Sequence, residues 1–311
     1  MARVSDRPDD PNWPRASAWL AGDHRADPTA RLAVLGVPLH AASITPGRCD
    51  LAPAAIRGAL GRLSTYDRDT DVDVRSVLAR DQGNLAVADA RPEEALDEVA
   101  GAVGGTLDTF EAIALLGGDN SVTRPGCRGL GPGLDRVGLL TLDAHLDLRD
   151  TAGGLTNGNP VRALLEDGLP GWNVVQVGLQ PFANSREYTR VAERAGLRGV
   201  TASEARARGL SRVVGDALDH LERRVDRIYV DVDVDVLDRA SAPACPGARP
   251  GGLLPWEIQG AVRICGRHPK VRALDIVEVD PTRDVADVTV LAAASFLLAF
   301  AAGVATRVRL G

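Results

Sequence analysis

Two short stretches carry most of the chemistry this chain can perform. The first runs Thr141-Leu-Asp143-Ala-His145-Leu-Asp147-Leu-Arg149-Asp150, and the second runs Tyr229-Val-Asp231-Val-Asp233-Val-Asp235-Val-Leu-Asp238. Polar and apolar residues alternate through most of both, which is the period of a β-strand and predicts the polar side chains on one face. A strand end of this kind aims Asp143, His145 and Asp147 at one point. Gathering carboxylates in a partly buried place adds desolvation to like-charge repulsion. Cations relieve both penalties. Several carboxylates with an imidazole suit a hard or borderline divalent ion such as Mn2+, whereas thiolate-rich clusters suit zinc. Two ions about 3.5 to 4 Å apart, bridged by shared carboxylates, fit the ligand count.

The surrounding pattern supplies the elements that must hold these clusters. Residues 1–29, rich in Asp, Arg, Pro and Trp, read as an extension, and 30–311 as one domain. Arg31 to Val37, Ala112 to Gly117, Arg136 to Asp143, Trp172 to Leu179, Arg227 to Asp235 and Val271 to Asp280 read as strands, with Asp71 to Leu78 as a short edge strand. Helices are predicted from Asp50, as cap, to about Leu63, then over Pro92 to Thr106 and over Pro160 to Glu166, begun by Asn159 or Thr156. Others follow from Thr201 or Ser203 to about Arg208, and over Ser211 to Arg224, Pro255 to Gly266 and Asp284 to Ala302. Strands alternating with helices predict a three-layer α/β/α domain with a mostly parallel sheet. Such sheets place ligand-bearing residues at the carboxyl ends of strands.

Composition removes several classes of function. The net charge of -6, with both signs mixed through the chain, offers no basic stripe for nucleic acid. Cys49, Cys127, Cys245 and Cys265 form no CxxC pair, so free buried thiols are expected rather than a disulfide framework. No signal peptide is visible, and the apolar Val288 to Val304 reads as a packed helix, so a cytoplasmic protein without a membrane partner is expected.

Gly117-Gly118-Asp119-Asn120-Ser121, Asp143-Ala-His145-Leu-Asp147, Asp233-Val-Asp235-Val-Leu-Asp238 and Glu278-Val-Asp-Pro281 occur in the order seen in ureohydrolases. From about residue 31 onward the chain resembles that superfamily of arginases, agmatinases and formimidoylglutamases. The resemblance implies the arginase-like fold, a homo-oligomer (trimer or hexamer), and two Mn2+ ions bridged by Asp143 and Asp233. His145 and Asp235 would complete one metal site, with Asp147 and Asn120 at the other. Asp147 would also hydrogen-bond a bridging hydroxide, and Glu278 would pair with a cationic amidine or guanidinium substrate.

Two positions depart from most relatives. Asn120 stands where they carry a histidine ligand, and an amide oxygen donates more weakly than imidazole, so weaker occupancy of that site is expected. Asn157 stands where arginases and agmatinases carry a histidine thought to shuttle protons, which an amide cannot do. The run Asp143 to Arg149 resembles formimidoylglutamases, and a guanidinium at Arg149 suits a substrate carboxylate. Arg186, in the polar run Asn184-Ser-Arg-Glu-Tyr188, is a second candidate anchor, and Asn157 a further substrate contact. Asp231 and Asp238 read as groups that orient the neighbouring ligands. The expected reaction is hydrolysis of N-formimidoyl-L-glutamate to L-glutamate and formamide. The rival readings are an agmatinase or guanidino-acid hydrolase that releases urea, and a non-catalytic subunit.

Overall fold

Strands written as continuous apolar runs need cover on both faces, and this chain supplies it by alternating them with helices. The computed structural model describes residues 10–22 and 31–307. Its strands are β1 (Leu32–Val37), β2 (Tyr66–Asp67), β3 (Val72–Asp73), β4 (Ala79–Asn84), β5 (Ala112–Gly117), β6 (Val137–Leu142), β7 (Val174–Leu179), β8 (Arg198–Thr201), β9 (Arg227–Asp233) and β10 (Val271–Val277). The helices are α1 (Ala16–Ala21), α2 (Ala52–Ala59), α3 (Leu96–Leu107), α4 (Thr123–Arg128), α5 (Pro160–Glu166), α6 (Arg186–Ala195), α7 (Ala202–Arg208), α8 (Leu210–Glu222), α9 (Pro255–Arg267) and α10 (Val288–Ala305).

Among the described residues, eight strands form one sheet in the order β4-β1-β5-β10-β9-β6-β7-β8, and every adjacent pair is parallel. β2 and β3 make a separate antiparallel hairpin. Successive side chains of a strand enter different cores, as the pleat requires. Leu32 and Val34 pack with α1, α2, α9 and α10 on one face, whereas Ala33 and Leu35 pack with α3, α4 and α5 on the other. The result is the α/β/α sandwich that the alternation predicts. Sequence-distant β9 and β10 sit between β5 and β6, so the carboxyl ends of these four central strands bring their loops together.

Several helices follow their sequence signals closely. In α8 the buried Leu210, Val213, Val214, Ala217, Leu218 and Leu221 recur at helical spacing. Thr201, rather than Ser203, caps α7 by accepting the Glu204 N–H at 3.1 Å. Among the described residues α10 is the one helix long and apolar enough to cross a membrane, and it lies in the core with 72% of its length buried.

Other expectations need correction. The edge strand is the polar Ala79–Asn84; the stretch before it forms only the two-residue β3 and a 3-10 turn. Asp50 does not cap α2: its carboxylate takes the Arg48 guanidinium at 2.8 Å. α1, α4, α6 and β8 lie outside the elements that the sequence pattern predicts. Residues 16–21 of the predicted extension are helical, and Trp19 buries its ring and donates Nε1–H to the Val77 carbonyl at 2.9 Å.

Candidate functional site

The first cluster is not a strand end. β6 stops at Leu142 and residues 143–150 leave the sheet as a loop, so the pleat cannot align Asp143, His145, Asp147 and Arg149. Side chains and backbone turns do the aligning instead. The Asp143 carboxylate accepts the His145 N–H at 2.6 Å, and Asp235 Oδ1 accepts the Ala144 N–H at 3.0 Å. Asn184 grips the same loop from outside, accepting from Leu146 N at 2.7 Å and donating to the Ala144 carbonyl at 2.9 Å. Asp147 is left-handed, with φ 52°, a conformation unusual for any residue except glycine. That turn folds its carboxylate back toward the cluster.

The second cluster likewise leaves its strand. β9 carries Asp231 and Asp233, and Asp233 Oδ1 then accepts the Asp235 N–H at 2.8 Å, closing a 3-10 turn over Val234–Val236. Asp235 Oδ2 thereby reaches His145 Nδ1 at 2.6 Å, while Asp143 Oδ1 lies 3.7 Å from the same nitrogen. One ligand atom each from Asp143, His145 and Asp235 fall within 4.8 Å of one another. Of the two further acids, Asp231 is wholly buried beside Asp275, whereas Asp238 ties the following loop by accepting from Ala240 N at 2.9 Å and Gly251 N at 2.7 Å. Asp238 thus holds a loop rather than the ligands.

The electrostatics of the cluster call for positive charge. Burial, then repulsion from Asp235, lifts Asp143 to about 7. Burial lifts Asp147 and Asp233 well above the usual carboxylate range, with neighbouring carboxylates adding to it. Burial works against a charged His145, but Asp235 and Asp143 outweigh it and raise the imidazole to about 11. Asp143 Oδ2 is buried without a hydrogen-bond partner among the described residues. A buried carboxylate oxygen unpartnered among the described residues, set amid mutually repelling acids, fits divalent cations, and an oxygen-rich set with one imidazole nitrogen suits Mn2+.

Glu278 follows β10 and is again left-handed, φ 66°. Its N–H donates to the Gly118 carbonyl at 2.8 Å. Gly118 itself must lack a Cβ, which would collide with the Leu39 carbonyl oxygen. Glu278 Oε1 accepts from Asn120 N and Asn157 Nδ2, both at 2.8 Å, while no hydrogen bond among the described residues reaches Oε2. Burial, with the charge of Asp119 second, raises this carboxyl to about 8. Asn157 Oδ1 accepts the Ile44 N–H at 2.9 Å, so its amide bridges two loops and steadies Glu278. The Asn120 side chain donates Nδ2–H to Asp147 Oδ2, placing it beside the ligands.

These groups surround a cleft of about 520 Å3 lined by His145, Asp147, Asp233, Asp235 and Glu278, together with Arg149, Asn157, Tyr188 and Arg249. Arg149 is exposed on the cleft, and its guanidinium has no hydrogen-bond partner among the described residues. Arg186 does not line the cleft; it opens α6 on the exposed surface. The expectation that it anchors a carboxylate therefore gives way to Arg249. One Nη1 of Arg249 lies 2.7 Å from both His145 Nε2 and the Gly247 carbonyl, and its Nε and Nη2 donors have no partner among the described residues. A single arginine in the Pro, Ala and Gly-rich loop 242–252 carried no spacing signal. Only the fold brings it to His145.

Comparison with known proteins agrees with this geometry. The family model "Arginase family" matches residues 30–303. A formimidoylglutamase of Halalkalibacterium halodurans is 36% identical over 279 residues, covering 87% of this chain and 86% of that protein. A mitochondrial guanidino acid hydrolase of Homo sapiens is 30% identical over 276 residues, covering 85% and 76% respectively. The crystal structure of formimidoylglutamase from Bacillus subtilis superposes with a TM-score of 0.90 at 31% identity, covering 99% of this chain and 97% of that one. With the family matched over nearly the whole chain, in one fold and around one acid cluster, this chain belongs to the arginase family.

Proposed function

We propose that this chain hydrolyses N-formimidoyl-L-glutamate to L-glutamate and formamide. The observation that carries the reading is the pair Arg149 and Arg249, two guanidinium groups with donors left unpartnered among the described residues, on the cleft that holds the acid cluster. This substrate has two carboxylates and one amidinium. Bidentate arginine pairing suits the carboxylates, and Glu278 Oε2 suits the amidinium. Its formimidoylglutamase relatives support the same choice.

Asp143, Asp233, His145 and Asp235 would hold Mn2+, with Asp147 and Asn120 at the second position. When bound, such ions supply a nucleophile at neutral pH by lowering the pKa of water. The chain's own groups do the rest. Glu278 orients the amidinium and favours its charged form, and Asn157 keeps Glu278 in place. Asp147, at the foot of the cleft, accepts a proton from the attacking water and returns it to the departing nitrogen of glutamate. The formimidoyl C–N bond breaks and formamide leaves.

Residues 30–311 form the catalytic unit in this reading, with 1–29 as an extension. The four free, buried cysteines support a reducing, cytoplasmic setting, and the family supports a homo-oligomer.

The test is a product assay with Mn2+-loaded protein offered N-formimidoyl-L-glutamate, agmatine, arginine and 4-guanidinobutyrate. Formamide from the first alone is expected, and Arg149→Ala is expected to lower kcat/KM on it about 10- to 100-fold, the worth of a charge-assisted pair. Urea from 4-guanidinobutyrate would instead favour a guanidino-acid hydrolase, a reading supported by the human relative. Failure of the protein to bind Mn2+ supplied in excess would support a non-catalytic subunit.

A further inference from the structure

A buried hydrogen-bond chain runs from Asn120 away from the acid cluster into the sheet. Asn120 Nδ2 faces Asp147 Oδ2, and Asn120 Oδ1 lies 2.7 Å from Thr123 Oγ1. The same Thr123 hydroxyl lies 3.0 Å from Asp275 Oδ2 on β10. Thr123 and Asp275 are fully buried and Asn120 nearly so, which leaves little room for water to mediate these contacts.

A hydroxyl carries one hydrogen, and here it faces two acceptors. Asp275 is the stronger claimant. Tyr229 Oη donates to its Oδ2 at 2.8 Å and Val232 N to its Oδ1 at 3.2 Å, an arrangement that gathers donors around an ionised carboxylate. Once Thr123 donates to Asp275, it presents only a lone pair to Asn120. The amide oxygen then meets another acceptor in a buried place, a mismatch with a real cost.

Half a turn about the Asn120 Cβ–Cγ bond removes that mismatch. It exchanges Oδ1 and Nδ2, so that Nδ2–H donates to Thr123 Oγ1, which donates to Asp275 in turn. The carbonyl oxygen then faces Asp147 and the metal pocket. Against this orientation stands the Asp147 carboxylate, which takes Nδ2–H in this structure. A cation beside Asp147 favours it from the pocket side, while Thr123 favours it from the core side.

We infer that Thr123, held by Asp275, is a positioning residue that turns the Asn120 amide oxygen toward the second metal site and thereby sets its affinity. The inference rests on the metallohydrolase reading above. It also gives a reason why an amide can serve at this position: its weaker donor atom is oriented by a dedicated hydroxyl.

The experiment is calorimetric Mn2+ titration of chelator-stripped full-length wild type, Thr123→Val, Thr123→Ala and Thr123→Ser, with melting temperatures recorded alongside. Two-site binding is expected for wild type and Thr123→Ser. In Thr123→Val and Thr123→Ala the weaker site is expected to lose about 10- to 100-fold in affinity while the tighter one stays, the usual scale for a group that orients a ligand. Melting temperature separates this from a purely structural role, which would move stability and leave Mn2+ affinity alone. Wild-type affinity in Thr123→Val or Thr123→Ala, or a loss in Thr123→Ser equal to theirs, would overturn the inference and leave the metal-site reading standing. A wild type that binds no Mn2+ would overturn both.

Discussion

Glu278 shows how a single residue is committed to function at a cost in stability. It is buried, left-handed, lifted to about 8 and fixed through one oxygen by two donors, leaving the other toward the cleft. A left-handed non-glycine residue costs on the order of 1–3 kcal/mol, and such strain collects where geometry matters more than stability. Glu278→Gln keeps the shape and removes the charge. On N-formimidoyl-L-glutamate it is expected to lower kcat/KM about 10- to 100-fold, as measured by formamide release. The same variant, stripped of metal, is expected to melt higher than wild type, since one member of a mutually repelling set is gone. Equal activity would deny Glu278 its role at the amidinium. At this scale the sequence was legible where chemistry dictates residue type: clustered aspartates around His145 announce a cation site. It was illegible for Arg249 and Thr123, because arginine or threonine in an unpatterned run acquires meaning only from tertiary neighbours such as His145 and Asp275.

Among the described elements, α10 and α9 pack most extensively against each other, and two glycines permit it. A Cβ at Gly303 would collide with the Arg263 carbonyl oxygen, and one at Gly266 with the Phe300 carbonyl oxygen, so backbone meets backbone at the crossing. Gly303→Ala must push the helices apart and is expected to destabilise the fold by about 1–3 kcal/mol, the usual cost of overpacking. Gly215, inside α8, has open space where a Cβ would be, and Gly215→Ala is expected to stabilise by roughly 0.5–1 kcal/mol. Urea unfolding of the two variants checks both signs at once, and equal shifts would contradict the contact argument. Apolar runs such as Ala112–Gly117 and helical spacing such as that of α8 were readable because burial on both faces, or along one stripe, writes itself into the sequence. β4 was not, since Ala-Arg-Asp-Gln-Gly-Asn is an edge strand whose pairing comes from β1 rather than from its own composition. The alternation in residues 143–150 misled for a related reason: period two describes the residues, but the backbone there is a loop closed by Asn184 and a left-handed Asp147.

For the whole molecule, the sheet order concentrates buried charge at one end of the sandwich, and that fixes how stability depends on pH and metal. The folded-state pKa values of Asp143 and Glu278 are raised to about 7 and about 8, and that of His145 to about 11. Each of these groups binds protons more tightly folded than unfolded. For an acid of this kind the stability penalty is absent below the unfolded pKa and complete above the folded one. For His145 the gain is complete below its unfolded pKa and is lost only as pH rises toward about 11. All three therefore make the metal-free protein less stable as pH rises, the two acids between about pH 4 and pH 8 and His145 from its ordinary value up toward about pH 11. Asp235 is shifted the other way, but its effect lies below its ordinary value, outside that window. Divalent cations hold the same carboxylates in their charged form, and high pH favours their binding by removing competing protons. With chelator present, the melting temperature is expected to fall as pH is raised from about 5 to about 8; with Mn2+ saturating, the fall should vanish or reverse. The gap between the two curves, widening with pH, then reports the linkage between cation binding and deprotonation of the site. Parallel curves would mean that the cation binds away from these acids, and that the cluster at the carboxyl ends of β6 and β9 is stabilised by other means.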